Sequence, residues 1–242
     1  MSMSVMVGGL NKSYAGRRAL DGVSCVFEPG IITAVVGPNG SGKTTLLRIA
    51  AMLESMDGGS VAYTDGDSAV QPGLSLMRRV TYVSQAPVLF NTSVRENIAY
   101  GLKARGLTKH EVALRVDEAI ATGGIGHLSE SDARRLSGGE AQRVALVRAY
   151  ALKPEAAFLD EPTSNLDPSG VAAMEALIMR MRDEDGAAVV IVTHNIFQAR
   201  RIADRVVFLH EGRVVESGGA PEFFASPQNG LTRRFLSGEM AY

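Results

Sequence analysis

A glycine-rich stretch near the start of the chain carries the residue types that bind phosphate groups. "GPNGSGKTT" covers residues 37–45 and fits the pattern G-x-x-x-x-G-K-[ST] at every position. Its glycines let the backbone curl so that several N–H groups point at one phosphate, and the helix predicted to follow adds a favourable dipole. In this pattern Lys43 reaches the β- and γ-phosphates of a nucleotide, and the Thr44 hydroxyl binds Mg²⁺. The predicted nucleotide site consists of Gly37, Pro38, Asn39, Gly40, Ser41, Gly42, Lys43, Thr44 and Thr45.

Carboxylates suited to the same chemistry occur in "AAFLDEP" at 156–162, where an apolar run ends in two acids. Asp160 is expected to hold the metal through water. Glu161 suits a general base that polarises an attacking water. The alternative interpretation is a capping or solvated acidic turn before Pro162.

A second anion-binding pattern follows the first much further along the chain. "RRLSGGEAQRV" at 134–144 places a serine and two glycines at the start of a helical pattern. The N–H groups at a helix N-terminus bind anions for the same reason as those of the first loop. The chain therefore carries two predicted phosphate cradles, and the second needs an explanation.

Short apolar runs rich in β-branched residues are predicted to be the strands that position these groups, at 31–36, 80–83, 156–160 and 189–193. Because these runs are nearly continuous rather than alternating, they indicate burial on both faces of a mainly parallel sheet. Ligands bind at the carboxyl edge of such a sheet. Helical patterns are predicted at 43–53, 138–151 and 171–182, and a hairpin or edge strand at 211–219.

Residues from about 87 to 151 have little strand pattern and much helical composition. "TKHEVALRVDEAIATGG" within them predicts a helix that ends near Gly123 and Gly124. We therefore predict one domain over 1–242, with a sheet core at 1–86 and 152–242 and an inserted helical subdomain at about 87–151.

Composition limits the function classes. The chain has 242 residues, of which 45% are hydrophobic and 21% charged, as is usual for a globular protein. A formal net charge of -1 gives no reason to expect a nucleic-acid partner. Cys25 is the only cysteine, which excludes an internal disulfide and a cysteine-based metal site. We find no secretory leader and no apolar run of the roughly 20 residues that span a bilayer, so a soluble chain is expected.

With these motifs in this order, the sequence resembles the ATP-binding subunit of an ABC transporter over nearly its whole length. "LSGGE" at 136–140 is similar to the signature of that family, and "LDEPTSNLD" at 159–167 is similar to its metal-binding strand and D-loop. The resemblance implies an α/β P-loop NTPase cassette, in which a RecA-like mixed sheet core carries an antiparallel β subdomain and an inserted α-helical subdomain. It also implies ATP and Mg²⁺ as cofactors, and ATP hydrolysis coupled to transmembrane transport.

The resemblance assigns roles to further residues. Tyr14 matches the aromatic position that stacks on adenine, Gln85 the glutamine near the metal or attacking water, and His194 the histidine at the γ-phosphate. Taken alone, each of the three is a common structural residue. The implied catalytic set is Lys43, Gln85, Glu161 and His194, and the implied Mg²⁺ ligands are Thr44, Gln85 and Asp160.

The second cradle also finds an explanation in the resemblance, since a helix start on a separate subdomain is not expected to reach its own Lys43. A homodimer that forms on ATP binding is implied, in which each protomer completes the site of the other. The residues implied to act in trans are Ser137, Gly138, Gly139, Glu140 and Asp167. Glu140 stands where the family often has glutamine, and Ile31 where it often has glutamate.

An importer is favoured over an exporter, because the sequence has neither fused membrane helices nor a Val-Gly-Glu element before the signature. This type implies two transmembrane permease subunits and, indirectly, an extracytoplasmic substrate-binding protein, at the cytoplasmic face of the membrane. Val88, Leu89 and Phe90 form an apolar cluster that either docks the permease or is buried in the helical subdomain.

The segment at 193–218 and the ending "RRFLSGEMAY" resemble tungstate importer ATPases most, with phosphate importers second. The chain lacks the coiled-coil insertions of DNA-repair ATPases and the second cassette of translation factors. A soluble single-cassette ATPase of the cluster-assembly type stays open as an alternative.

Overall fold

The computed structural model describes residues 3–240, which form two β-sheets and the helices packed on them. Residues 1–2 and 241–242 of the predicted domain lie outside the described residues. The strands are β1 (Met3–Tyr14), β2 (Arg17–Phe27), β3 (Ile32–Val36), β4 (Gly58–Asp65), β5 (Ser68–Val70), β6 (Val80–Val83), β7 (Ala156–Asp160), β8 (Ala188–Val192), β9 (Arg205–His210) and β10 (Arg213–Gly219). The helices are α1 (Lys43–Ala50), α2 (Leu74–Met77), α3 (Val94–Ala104), α4 (Lys109–Thr122), α5 (Gly138–Ala151), α6 (Pro168–Asp183), α7 (Ile196–Ile202), α8 (Ala220–Ala225) and α9 (Gly230–Leu236).

The larger sheet has the strand order β10-β9-β3-β8-β7-β6, and its strands run parallel except for β10 at the edge. Strands β3, β7 and β8 are buried at every position, which confirms the predicted burial on both faces for these three. The prediction was wrong for the middle of β6, where Thr81 and Tyr82 are only partly buried because this strand lies at the sheet edge. The edge strand predicted at 211–219 is confirmed as β10. The loops after β3, β6, β7 and β8 leave the same edge of this sheet, so the predicted site residues that follow these strands lie near one another.

The smaller sheet is antiparallel, with the order β2-β1-β4-β5. It corresponds to the antiparallel subdomain that the family resemblance implies. Helix α1 packs in a core between the two sheets, where Leu46 and Leu47 are fully buried. The rings of Phe27 and Phe158 connect the sheets directly, with centroids 5.9 Å apart in an edge-on arrangement. This packing fixes the N-terminus of α1, and with it the phosphate loop.

Some boundaries differ from the prediction. Helix α1 ends at Ala50 rather than at residue 53, because Met52 adopts a left-handed conformation with φ 60°. Helix α6 begins at Pro168 rather than at residue 171, because the side chain of Asp167 caps the helix and proline suits its first turn. The strands differ by one residue at their ends, since β3 begins at Ile32 and β8 covers Ala188–Val192.

Helices α3, α4 and α5 lie between β6 and β7 in the chain, as predicted for this region. Thr108 and Glu111 form a capping box at the start of α4, and Gly123 ends the helix where the sequence indicated. The hydrophobic core continues from these helices to the larger sheet, and the subdomain boundaries near residues 87 and 151 stay predictions. None of the helices in residues 3–240 combines the length and the hydrophobicity that a membrane span requires.

Candidate active site

A cavity of about 370 Å³ lies between the β1–β2 hairpin and the carboxyl edge of the larger sheet. Its size is in the range of small-ligand pockets. It gathers residues from the phosphate loop, from the loop after β6 and from the end of β7. The predicted site residues that line it are Tyr14, Asn39, Gly40, Gly42, Lys43, Thr44, Thr45, Gln85, Asp160 and Glu161.

The phosphate loop between β3 and α1 needs glycine for steric reasons. A Cβ atom on Gly37 would lie 2.0 Å from the carbonyl oxygen of Leu209, and one on Gly42 would lie 2.4 Å from that of Ala19. Both glycines also have positive φ, at 150° and 104°. The hydroxyl of Ser41 is buried within the loop without a hydrogen-bond partner. Neighbouring strands therefore hold the loop in a conformation that leaves polar groups available for a ligand.

Lys43 lies under the loop with only 7% of its surface exposed. Its Nζ donates to the carbonyl oxygens of Gly37 and Pro38, at 2.7 and 2.8 Å. Burial lowers the pKa of Lys43, and the carboxylates of Glu161 and Asp160 partly oppose this shift. A partly desolvated cation at the start of a helix is favourable for a phosphate group.

Asp160 at the end of β7 is 3% exposed and has the properties of a metal-binding carboxylate. Its Oδ2 accepts a hydrogen bond from the hydroxyl of Tyr82 at 3.1 Å, while its Oδ1 is buried without a partner. Thr44 and Gln85 offer further oxygen atoms in the same cavity. Mg²⁺ prefers oxygen ligands and keeps several waters, so these residues fit it without a dense acidic cluster.

Glu161 and His194 are in direct contact. The Nδ1 atom of His194 lies 2.6 Å from Oε2 of Glu161. The Glu161 side chain is only 11% exposed, whereas that of His194 is 54% exposed. The backbone of Glu161 has φ 51°, an unfavourable left-handed conformation that is held by a hydrogen bond from its N–H to the carbonyl of Val192 at 3.0 Å. The contact sets the carboxylate at the sheet edge in a defined orientation beside Lys43.

Tyr14 lies at the mouth of the cavity, at the end of the β1–β2 hairpin, and is 44% exposed. Ala15 and Gly16 have φ of 46° and 81°, which is the geometry of a tight two-residue turn. The hydroxyl of Tyr14 donates to Glu54, and burial, together with this carboxylate, raises the pKa of Tyr14. This bond anchors the tyrosine by its hydroxyl, so that a ring face remains available to a planar base.

The signature residues lie outside this cavity. Ser137 caps α5, and its hydroxyl donates to Glu140 at 2.7 Å while the Glu140 N–H returns a bond to it at 3.3 Å. A Cβ atom on Gly138 would meet nothing within 4 Å among the described residues, so this face is open. Asp167 accepts the N–H of Gly170 at 3.1 Å as the cap of α6.

Two residues beside the site were not identified from the sequence. Tyr82 orients Asp160 through the hydrogen bond described above, and burial and this carboxylate raise the pKa of its hydroxyl. Gln142 on α5 is fully buried, with Nε2 at 3.5 Å from the carbonyl oxygens of both Ser84 and Glu161. The signal that could have found Gln142 is its spacing of three and four residues from Ala145 and Leu146, which puts it on the same helix face as these apolar residues.

With this geometry described, similarity to known proteins decides the family. A sequence model described as ABC transporter matches residues 20–164, a range that includes the phosphate loop, the signature and "LDEPTS". This chain belongs to the ABC transporter family. This confirms the predicted family and the predicted cassette fold. It also confirms the prediction that the chain is an ATPase.

Among ABC transporter proteins, the chain is 45% identical over 217 residues to the tungstate uptake system ATP-binding protein TupC of Peptoclostridium acidaminophilum, covering 90% of this chain and 99% of that protein. It is 37% identical over 248 residues to the phosphate import ATP-binding protein PstB 2 of Natronomonas pharaonis, covering 98% and 87%. These relatives confirm the prediction of an importer ATPase.

A solved ABC cassette supports the same fold assignment. It is a dimeric ATP-binding cassette in a post-hydrolysis state bound to ADP and Pi, with a TM-score of 0.80 and 26% identity, covering 89% of this chain and 98% of that chain. ATP is therefore the nucleotide of this ABC ATPase.

Proposed function

We propose that this chain hydrolyses ATP to drive the import of an oxyanion, with tungstate as the favoured substrate. The observation that supports this substrate is the 45% identity to a tungstate uptake protein over 90% of the chain, against 37% to a phosphate importer subunit. In the proposed function this cavity holds the nucleotide and not the transported anion, so its lining does not select between tungstate and phosphate. Phosphate is the alternative substrate.

In the proposed reaction, the loop N–H groups and Lys43 neutralise charge that develops on the γ-phosphoryl group. Glu161 accepts a proton from the attacking water, and His194 holds the carboxylate in place through the 2.6 Å contact. Mg²⁺ would be held by Thr44, Gln85 and Asp160, and would supply further charge neutralisation at the phosphates. Support for this metal site comes from the buried, unpaired Oδ1 of Asp160.

We further propose that two copies of the chain enclose ATP head to tail. Ser137, Gly138 and Gly139 would then contact the γ-phosphate bound by the partner. Two observations support this arrangement: these residues lie outside the cavity of their own chain, and the start of α5 is open at Gly138. Glu140 and Asp167 would lie at the same interface, although both currently serve as helix-capping groups.

Docking of the permease is proposed at the segment that follows Gln85. Val88 is 81% exposed and Phe90 44%, whereas Leu89 packs against the core, so the predicted apolar cluster is divided between surface and interior. Phe90 packs on Tyr100 with ring centroids 4.3 Å apart, and Arg148 donates to the Val88 carbonyl at 3.2 Å. A supported, partly apolar surface of this kind suits a helix of a permease subunit. The chain would then act at the cytoplasmic face of the membrane, beneath a permease that receives its substrate from an extracytoplasmic binding protein.

Reconstitution tests the substrate. The chain, its permease and its binding protein would be assembled in liposomes, and ATPase activity would be measured with tungstate, molybdate, sulfate or phosphate. We expect tungstate to stimulate hydrolysis at the lowest concentration, and the Glu161→Gln complex to show no stimulation. Stimulation by phosphate alone would overturn the tungstate assignment. Failure of any permease to bind the chain would favour a soluble ATPase instead.

A further inference from the structure

The β1–β2 hairpin brings two further cations, Arg17 and Arg18, to the nucleotide cavity. Arg17 lines the cavity and pairs with Tyr14 across the turn, as the two residues that close the hairpin. Side chains of directly opposed residues leave the same face of a two-stranded ribbon. Nη2 of Arg17 lies 3.9 Å from the position that a Cβ atom on Gly40 would occupy, so the guanidinium reaches the phosphate loop.

Arg17 differs from its neighbour Arg18 in its charge partners. Nη1 of Arg18 lies 2.6 Å from Oδ1 of Asp21, and Arg213 binds the other oxygen of that carboxylate with its Nε at 2.7 Å. Among residues 3–240, the Arg17 guanidinium has no carboxylate within ion-pair distance. The positive charge of Arg17 is therefore available to a ligand.

The other charges around the cavity show why an unpaired Arg17 would favour the binding of an anion. Asp160 and Glu161 contribute two negative charges to the lining. Its cations are Lys43, Arg17 and Arg18, and the charge of Arg18 is already paired with Asp21. A nucleotide triphosphate adds several negative charges to the same space. A second unpaired cation at the mouth thus offsets repulsion that Lys43 alone does not balance.

We propose that Arg17 binds the phosphate chain of the nucleotide near the α-phosphate, between a base on Tyr14 and the terminal phosphates in the loop. This inference rests on the proposed function, because it assumes that a nucleotide occupies the cavity in that direction. The planar guanidinium donates two parallel hydrogen bonds to phosphate oxygens, which a lysine ammonium does not. Arg17 thereby favours adenine nucleotides that carry a phosphate chain over the nucleoside.

The test compares Arg17→Ala with Arg18→Ala in the full chain, with ATP, ADP and adenosine competing against a fluorescent ADP analogue. Arg17→Ala is expected to weaken the binding of ATP and of ADP by about fivefold at low salt. This loss of affinity should become smaller as the salt concentration rises. Adenosine affinity should not change, since Tyr14 stays in place. Arg18 also lines the cavity, but its guanidinium is already paired with Asp21, so Arg18→Ala should weaken the binding of ATP and ADP clearly less than Arg17→Ala does. Arg17→Lys should lie between wild type and Arg17→Ala.

Unchanged ATP affinity in Arg17→Ala at low salt would overturn the inference. An equal loss of adenosine affinity would also overturn it, because that result would indicate a distorted hairpin rather than a lost phosphate contact. Lys43→Ala separates this outcome from failure of the proposed function. If Lys43→Ala loses ATP binding while Arg17→Ala retains it, only the role of Arg17 is wrong, whereas normal ATP binding by Lys43→Ala contradicts the nucleotide site itself.

Discussion

Replacing Glu161 by glutamine tests the assignment of the general base. The substitution keeps the size and shape of a side chain that is only 11% exposed and that contacts His194 at 2.6 Å. An amide still bonds to the imidazole but does not accept a proton from water. Loss of a general base slows hydrolysis by about 10²–10⁴-fold, which corresponds to about 3–5 kcal/mol in the activation barrier. ATP affinity should stay the same or increase, because the change removes a negative charge beside the phosphates.

The assay is single-turnover hydrolysis of ATP together with equilibrium ATP binding. Glu161→Gly provides a second comparison, because glycine tolerates φ 51° and should relieve about 1 kcal/mol of backbone strain while losing the base. Both variants should be inactive, because neither keeps a carboxylate at the position of the base. A Glu161→Gln variant that hydrolyses ATP at more than about a tenth of the wild-type rate would refute the assignment. A large loss of ATP affinity with little change in the hydrolysis step would make Glu161 a binding residue instead.

Three further predictions concern the metal, the dimer and the signature cap. Asp160→Asn should raise the Mg²⁺ concentration needed for half-maximal hydrolysis by about 10–100-fold, while ATP binding without metal persists. The same half-maximal Mg²⁺ concentration in wild type and variant would contradict the metal role. Ser137→Arg should abolish the ATP-dependent dimer of the Glu161→Gln variant on gel filtration without weakening ATP binding to the monomer; a dimer that persists would contradict the arrangement in trans. Hydrogen bonds from Ser137 lower the pKa of Glu140, so the stability that this carboxylate contributes is present at neutral pH and is lost as the pH falls through its lowered folded pKa. The difference in melting temperature between wild type and Glu140→Ala should therefore shrink below about pH 4, and a constant difference would exclude this ionic contribution.

Several features of the fold and of the site follow from residues that are adjacent in the sequence. The phosphate loop is one, because its N–H groups, Lys43 and Thr44 come from consecutive residues at the start of one helix. The helix predicted at 138–151 agrees with α5, Gly138–Ala151, and the capping box of Ser137 and Glu140 explains its start from residues three apart. The buried parallel strands were predicted for a similar reason, as their apolar runs are continuous in the chain.

Other features of the fold could not be predicted from short segments of the sequence. The predicted end of α1 was wrong by three residues, because methionine gives no indication that Met52 adopts a left-handed conformation. Strands β1, β2, β4 and β5 were not located, since their side chains face a core in one direction and solvent in the other, and bulges interrupt the alternation. The family resemblance implied that sheet without giving its residues.

The tertiary structure alone decided which separated residues meet. The order β9-β3-β8-β7-β6 places the ends of strands from distant parts of the chain at one edge, and this brings Glu161 to His194 and Tyr82 to Asp160. It also brings Arg17 of the hairpin to Gly40 of the phosphate loop. Sequence alone determined which groups could bind phosphate, because that chemistry belongs to short segments. Their distances and charge partners depend on strand order and packing between residues far apart in the chain, which no local pattern encodes.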